Sequence, residues 1–457
     1  MPRQKLNAFD VTNLVIGSII GADIFIASGI ASGIIGPFSI FVWVIAGIFA
    51  IIIALSFAQL SHIIPKACGP YIYAKRAFGN FPGFITGWSL WLAEWSALAV
   101  FPVAFSTYVQ FFFPLNWWQD IAVKFLFILF LTATNYFGIR SAGKMNDILT
   151  IGKILPLFIL MILGALFLFS HQESALQNYS PLLPLGLAGF GSALVLIFWA
   201  YAGFELATIP SNEIDNPKKT IKKAIITGMG IVMVFYLSIN VIIIGMNDWQ
   251  SLAADKTPLV SSSEKISSWL GISMLGFLIW IGALLSISGS DESGTIGTSR
   301  LGYAMAADGL FPRAFAKLHP KYKTPYVSLI FQNITAFLAS AVGGITSIIS
   351  FSVFCLSFVY LVTCLSGLKL RAGKWMPIAG AAISLYLITQ IGFIPMLVAA
   401  ALLLLGVPFY IFLSPKKELE EAKALLLSEE YLLMKRVHTE ERFLGHVFKH
   451  VRKLFMK

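Results

Sequence analysis

Long apolar runs separated by short, basic connections dominate this chain. Twelve stretches reach about the 20 largely apolar residues that a helix needs to cross a bilayer. They lie near residues 10–35, 38–63, 82–113, 119–139, 147–170, 186–211, 222–247, 270–299, 326–342, 344–368, 375–391 and 393–413. The runs are continuous rather than alternating, which points to helices and away from an outer-membrane barrel. The first follows Met1-Pro2-Arg3-Gln4-Lys5 with no cleavage-site pattern, so it reads as a membrane helix and not as a signal peptide.

Basic residues orient the spans. With a cytoplasmic N-terminus, the inner connections hold Arg3, Lys5, Lys66, Lys75, Arg76, Arg140, Lys144, Lys218, Lys219, Lys222, Lys223, Arg300, Arg313, Lys317, Lys321, Lys323, Lys369, Arg371 and Lys374. The outer connections hold only Lys256 and Lys265. Both termini are therefore expected in the cytoplasm, with the protein multi-pass in the cell membrane. Only 12% of the 457 residues are charged and 57% are hydrophobic. That is about half the charge of a soluble domain, which excludes soluble, disordered and secreted disulfide classes. The net charge of +11 then reflects topology, not nucleic-acid binding. Three cysteines, Cys68, Cys355 and Cys364, have no ligand spacing and imply neither a disulfide framework nor a metal site.

Residues 415–457 form a cytoplasmic tail, in which Leu444, Val447, Phe448, Val451 and Leu454 recur at helical spacing. This suits an amphipathic helix on the inner leaflet or one packed on the protein's own loops.

Two spans carry glycine beside acids. The first reads Gly17-Ser18-Ile19-Ile20-Gly21-Ala22-Asp23-Ile24-Phe25, and the sixth reads Phe198-Trp199-Ala200-Tyr201-Ala202-Gly203-Phe204-Glu205. Close helix packing explains Gly29 and Gly33, but not Asp23 or Glu205. A carboxylate at mid-depth costs several kcal/mol unless it meets water, a cation or backbone donors. An unwound helix supplies donors and is tolerated only where it lines a cavity. Broken spans at corresponding places in two halves mark a transporter's binding site. The expected fold is thus an all-α integral membrane protein of 12 transmembrane helices with helices 1 and 6 broken. Its five-plus-five inverted repeat covers about 10–170 and 186–370, and two extra helices over about 375–413 complete a transporter unit at 1–414.

These stretches resemble the amino acid–polyamine–organocation superfamily of secondary transporters. Gly17 to Phe25 resembles its Gly-x-x-Ile-Gly-Ser-Gly-Ile-Phe signature, and Pro65 to Gly79 its loop after helix two. Phe198 to Glu205 followed by Asn212-Glu213-Ile214-Asp215-Asn216-Pro217-Lys218-Lys219-Thr220-Ile221 resembles helix six and its basic loop. Arg300 to Pro312 resembles the segment after helix eight. The resemblance implies a leucine-transporter-like fold, alternating access, and uptake or exchange of amino acids or related amines at a central site. It implies substrate contacts at Ile20, Gly21, Ala22 and Asp23, and at Trp199, Ala200, Tyr201 and Gly203. Two departures stand out: Ala22-Asp23 replaces Ser-Gly, and Cys68 replaces a glycine. In relatives the unwound stretch offers amides to a substrate carboxylate, as helix ends do for anions. Asp23 brings a negative charge to that spot.

Lys153 lies inside the fifth span, where some sodium-independent relatives place a lysine at the locus of a sodium ion. It is read as the coupling group with Asp23 as partner, and Glu205, Asp291 and Glu292 as further coupling candidates. Glu94 is one more intramembrane acid. Protons are the favoured coupling ion and sodium the alternative, since Ser286, Ser288, Ser290, Ser293 and Thr295 surround Asp291 and Glu292. No cofactor or metal is expected. Asp23, Glu94, Glu205, Asp291 and Glu292 against one base also suit an amine, polyamine or cationic amino acid, with cation–π help from aromatics. The spans carry no catalytic motif, so an enzyme is not expected. A channel lacks a filter sequence, and a transporter-like sensor lacks a large receptor domain.

Overall fold

The computed structural model describes residues 7–64, 69–208, 214–342 and 344–413. The tail at 415–457, Arg3, Lys5, Lys66, residues 65–68, Asn212 and Glu213 lie outside the described residues.

Helices build the described chain, and it contains no strand. The first half holds α1 (Ala8–Ile19), α2 (Ala22–Ile35), α3 (Ser39–Ile63), α4 (Gly69–Phe78), α5 (Asn80–Phe112), α6 (Trp117–Tyr136), α7 (Ile139–Ser170) and α8 (Gln172–Asn178). The second holds α9 (Phe190–Ala200), α10 (Pro217–Met246), α11 (Trp249–Ala254), α12 (Pro258–Leu270), α13 (Leu275–Ala307), α14 (Tyr326–Val342), α15 (Ile345–Lys369), α16 (Trp375–Thr389) and α17 (Phe393–Leu413). The all-helical architecture expected from the sequence is present. Length and apolarity alone select eight membrane-crossing stretches, not twelve. The difference has two sources: residues 8–63 run together as one apolar helical stretch, and Phe190–Leu206, Tyr326–Ala341 and Trp375–Thr389 are short.

Local chemistry sets the helix starts. The Asn7 side chain accepts from the amides of Phe9 (2.7 Å) and Asp10 (3.1 Å), while Asp10 accepts from Asn7 N (2.8 Å). Asn116 and Gln119 repeat this reciprocal cap at α6. Pro217 and Pro258 occupy first turns, where a missing N–H costs nothing. In the connection before α11, Asp248 caps that helix by accepting from Ser251 N and Oγ. These bonds hold its carboxyl below the usual range.

Helix α13 packs along α7 and α5, α15 along α5 and α16, and α10 along α3 and α1. Small residues permit the approach: a Cβ at Gly282 of α13 would come 2.6 Å from the Pro156 ring of α7. Outward faces stay apolar and exposed, as at Phe125, Leu126, Leu129 and Phe130 of α6 and Ile394, Leu404 and Phe412 of α17. Such a belt suits lipid and would drive aggregation in water.

Two helical paths are interrupted. Between α1 and α2 the chain turns extended at Ile20 (φ −71°, ψ 105°) and leaves helical geometry at Gly21 (φ −142°, ψ −142°). After α9, residues 201–203 form a turn, and Phe204–Thr208 continue as a short 3-10 helix. An interrupted helix frees carbonyls before the break and amides after it. Those groups make the site.

Candidate functional site

Side chains from other helices claim the carbonyls of Gly17, Ile19, Ile20 and Gly21 at the first break. Lys153, on α7 and wholly buried, donates from Nζ to the carbonyls of Gly17 and Ile20, at 2.5 Å each. Ser290 Oγ of α13 donates to the Ile20 carbonyl (3.1 Å), and Ser286 Oγ approaches that of Gly21 (3.4 Å). The Tyr236 hydroxyl of α10 lies between the Ile19 carbonyl (2.9 Å) and Asp23 Oδ2, hydrogen-bonded to the carboxylate. An ammonium has three donors and no acceptor, and Lys153 uses two of them to hold the C-terminal end of α1 as it enters the break. Its charge also acts on the Asp23 carboxyl. Gly21 has no room for a side chain, because a Cβ there would stand 2.3 Å from Ser290 Oγ and 2.7 Å from Asp23 Oδ1.

The second break touches the first. Ser18 Oγ donates to the Gly203 carbonyl (3.0 Å), and Gly203 N donates to Glu205 Oε2 (3.1 Å). Gly203 has φ +115°, and a Cβ on it would meet the Ser18 carbonyl oxygen at 2.8 Å. Glu205 sits next to the Glu94 carboxyl of α5 and the Tyr360 hydroxyl of α15.

Between these elements is a cavity of about 40 Å³. Its walls include Asp23, Glu94, Phe101, Trp199, Glu205 and Ser290. That volume takes about three waters, so anything larger requires the walls to part. Phe101 and Trp199 face each other across it with ring centroids 6.3 Å apart.

The residues expected from the sequence divide into two groups. Ile20, Gly21, Asp23, Lys153, Trp199, Gly203, Glu205 and Glu94 come together at the two breaks and the cavity. Ala22 and Ala200 are buried beside the breaks and offer no side-chain chemistry. Tyr201 turns away from the cavity: its hydroxyl donates to the Trp43 carbonyl (3.1 Å), and its ring packs on Trp43 and Tyr236. Glu292 also lies elsewhere, accepting from Thr134 Oγ1 (2.9 Å) and Asn135 Nδ2 (2.8 Å) of α6. Asp291 is buried next to it and does not line the cavity.

Sequence reading did not single out Tyr236 or Ser18. The only available signal was a lone hydroxyl within an apolar run, which packing tyrosines share. Ser290 stood in the polar run of α13 without being separated from its neighbours.

Residues 6–425 match the model of a family described as amino acid permease. A branched-chain amino acid permease of Bacillus subtilis is 29% identical over 74% of this chain and 75% of its own length. A methylthioribose transporter of the same organism is 28% identical over 75% of each chain. A D-serine/D-alanine/glycine transporter of Escherichia coli is 27% identical over 81% of each. With the family model spanning nearly the whole chain and the breaks, the buried lysine and the central cavity in place, this protein belongs to the amino acid permease family of the amino acid–polyamine–organocation superfamily and is a membrane transporter.

Proposed function

We propose that the protein moves amino acids by alternating access and that proton transfer at Lys153 and Asp23 couples the movement to a gradient. The observation that carries this reading is the Lys153 ammonium bonded to the Gly17 and Ile20 carbonyls at the break. A cation held there by backbone oxygens occupies the ground that a bound metal cation would need, which favours protons over sodium. Loss of its proton would remove the charge from these two bonds, weaken the clamp and ease movement at the first break. We count twelve crossings by giving the first apolar stretch two and each of the three short apolar helices one, beside the other seven long stretches. We read them as a five-plus-five inverted repeat with two extra helices, both termini cytoplasmic in the cell membrane.

The freed amides after Gly21 suit the carboxylate of an amino acid. A cationic or amine substrate is the second reading, supported by three acids at the cavity wall, Asp23, Glu94 and Glu205. Two facing carboxyls such as Glu94 and Glu205 repel unless they share a proton or a cation.

A thermal-shift panel on detergent-purified protein separates the readings by comparing amino acids with matched amines that lack the carboxylate. A ligand at 100 times its Kd stabilises by about 2.7 kcal/mol. Shifts from amino acids alone are expected. Equal or larger shifts from the amines would make Asp23 a substrate ligand and the protein an amine carrier.

Tyr236→Phe tests the support of the break. It keeps the ring packing on Trp43 and Tyr201 and removes the hydroxyl from Ile19 and Asp23. The loss of one hydrogen bond to a charged group is about 1.5–3 kcal/mol. Uptake in proteoliposomes is expected to fall at least tenfold while the protein still melts cooperatively, and unchanged uptake would remove Tyr236 from the site.

A further inference from the structure

At the end of the molecule where α3 finishes and α10 begins, a groove of about 600 Å³ opens to the outside. Its walls include Lys218, Lys219, Lys222 and Lys223 of α10, His62 at the end of α3, the uncharged polar Thr227, and the apolar Ile63 and Ile226. All four lysines are exposed. Among the described residues, none of them forms an ion pair, and no acid lines the groove. Their placement is electrostatically costly: they crowd the first two turns of α10, where the helix dipole already presents positive charge. His62 Nδ1 lies 3.3 Å from the Lys218 carbonyl and ties the two helix ends into one wall. Ile63 and Ile226 are 45% and 47% exposed, on the apolar outer surface just inside the lysine cluster.

A surface that joins a concentrated positive cluster to exposed aliphatic side chains is complementary to one kind of molecule, a phosphate headgroup on acyl chains. We propose that this groove binds an anionic phospholipid, with the lysines around the phosphate and the acyl chains along Ile63 and Ile226. Basic pockets between transmembrane helices on one membrane face serve this purpose generally. In the sequence the lysines served as topological markers and as part of the basic loop, and the fold gathers them into a concave site. The site also has a mechanical connection to transport. Tyr236 stands 13 residues beyond Lys223 on the same helix, about 20 Å along it at 1.5 Å per residue. A lipid seated on the first turns of α10 therefore loads the helix that holds the first break. The proposal stands apart from the coupling role of Lys153 and does not depend on it.

Native mass spectrometry of the full chain in neutral detergent tests it, with dioleoyl phosphatidylglycerol and dioleoyl phosphatidylcholine as probes. Phosphatidylglycerol is expected to bind at least tenfold more tightly than phosphatidylcholine. The preference should disappear in the quadruple variant Lys218→Gln, Lys219→Gln, Lys222→Gln, Lys223→Gln. Thr227→Trp, which fills the groove and keeps every charge, should weaken phosphatidylglycerol at least fivefold. Equal binding of the two lipids, an unchanged preference in the quadruple variant, or full phosphatidylglycerol binding in Thr227→Trp would overturn the proposal. So would displacement of the lipid by millimolar inorganic phosphate, which would make the groove a site for a free anion.

Discussion

Lys153→Ala is expected to abolish gradient-driven uptake, by a hundredfold or more, while substrate-for-substrate exchange falls by less than tenfold. The substitution strips the Gly17 and Ile20 carbonyls of the one side chain among the described residues that bonds both. It also leaves the buried Asp23 carboxyl without its nearest described cation. Hydrogen bonds to a charged group are worth about 1.5–3 kcal/mol each, and a hundredfold change corresponds to about 2.7 kcal/mol. One lost coupling interaction therefore suffices for the expected effect. The comparison of the two transport modes is what identifies coupling. Exchange runs the carrier loaded in both directions and needs no net ion movement, whereas concentrative uptake does. Paired assays on one preparation of proteoliposomes, with an imposed proton gradient in the uptake arm, give the ratio directly. A parallel collapse of both modes together with a lower melting temperature would mean that Lys153 is a structural clamp. Survival of concentrative uptake would remove the lysine from coupling altogether.

The sequence conveyed this region unevenly, for geometric reasons. Spans built as unbroken apolar runs were legible almost to the residue: 38–63 against Ser39–Ile63, and 393–413 against Phe393–Leu413. Helices α4, α11 and α12 were not, because they are short and mixed in polarity. The breaks announced themselves through glycine beside an acid, a pattern that helix propensity and membrane burial both disfavour. Which neighbours close over a break depends on rotation about a helix axis. At about 100° per residue, Ser290, Asp291 and Glu292 point in three directions. Ser290 reaches the Ile20 carbonyl, while Glu292 faces Thr134 and Asn135. A polar run read as one cluster is therefore divided by the fold between the breaks and a separate group on α6. Tyr201 illustrates the same limit. It adjoins the second break in sequence, yet its side chain leaves toward Trp43, and the cavity wall receives Trp199 instead.

Gly203→Ala is the second large expected effect: transport lost to background and a melting temperature lowered by several degrees. Two independent costs meet at this position. Its φ of +115° is a conformation that side chains rarely adopt, and holding a non-glycine residue in such a region costs about 1–3 kcal/mol. The added methyl would also stand 2.8 Å from the Ser18 carbonyl oxygen, 3.0 Å from its carbon and 3.3 Å from Ile19 N. All three atoms are backbone, so no rotamer change relieves the contact. The wall that must yield is the last turn of α1, between the Gly17 and Ile20 carbonyls that Lys153 holds. Displacing it would disturb the bond between Ser18 Oγ and the Gly203 carbonyl, the direct link between the breaks. Gly230→Ala is the matched control. A Cβ there meets nothing within 4 Å, and α10 is helical throughout, so alanine should leave transport intact and raise stability by about 1 kcal/mol. If the two variants melt and transport alike, contact between the broken helices through Gly203 is not what organises the site. If Gly203→Ala alone fails, the two breaks act as one unit, and motion at either must be felt at the other.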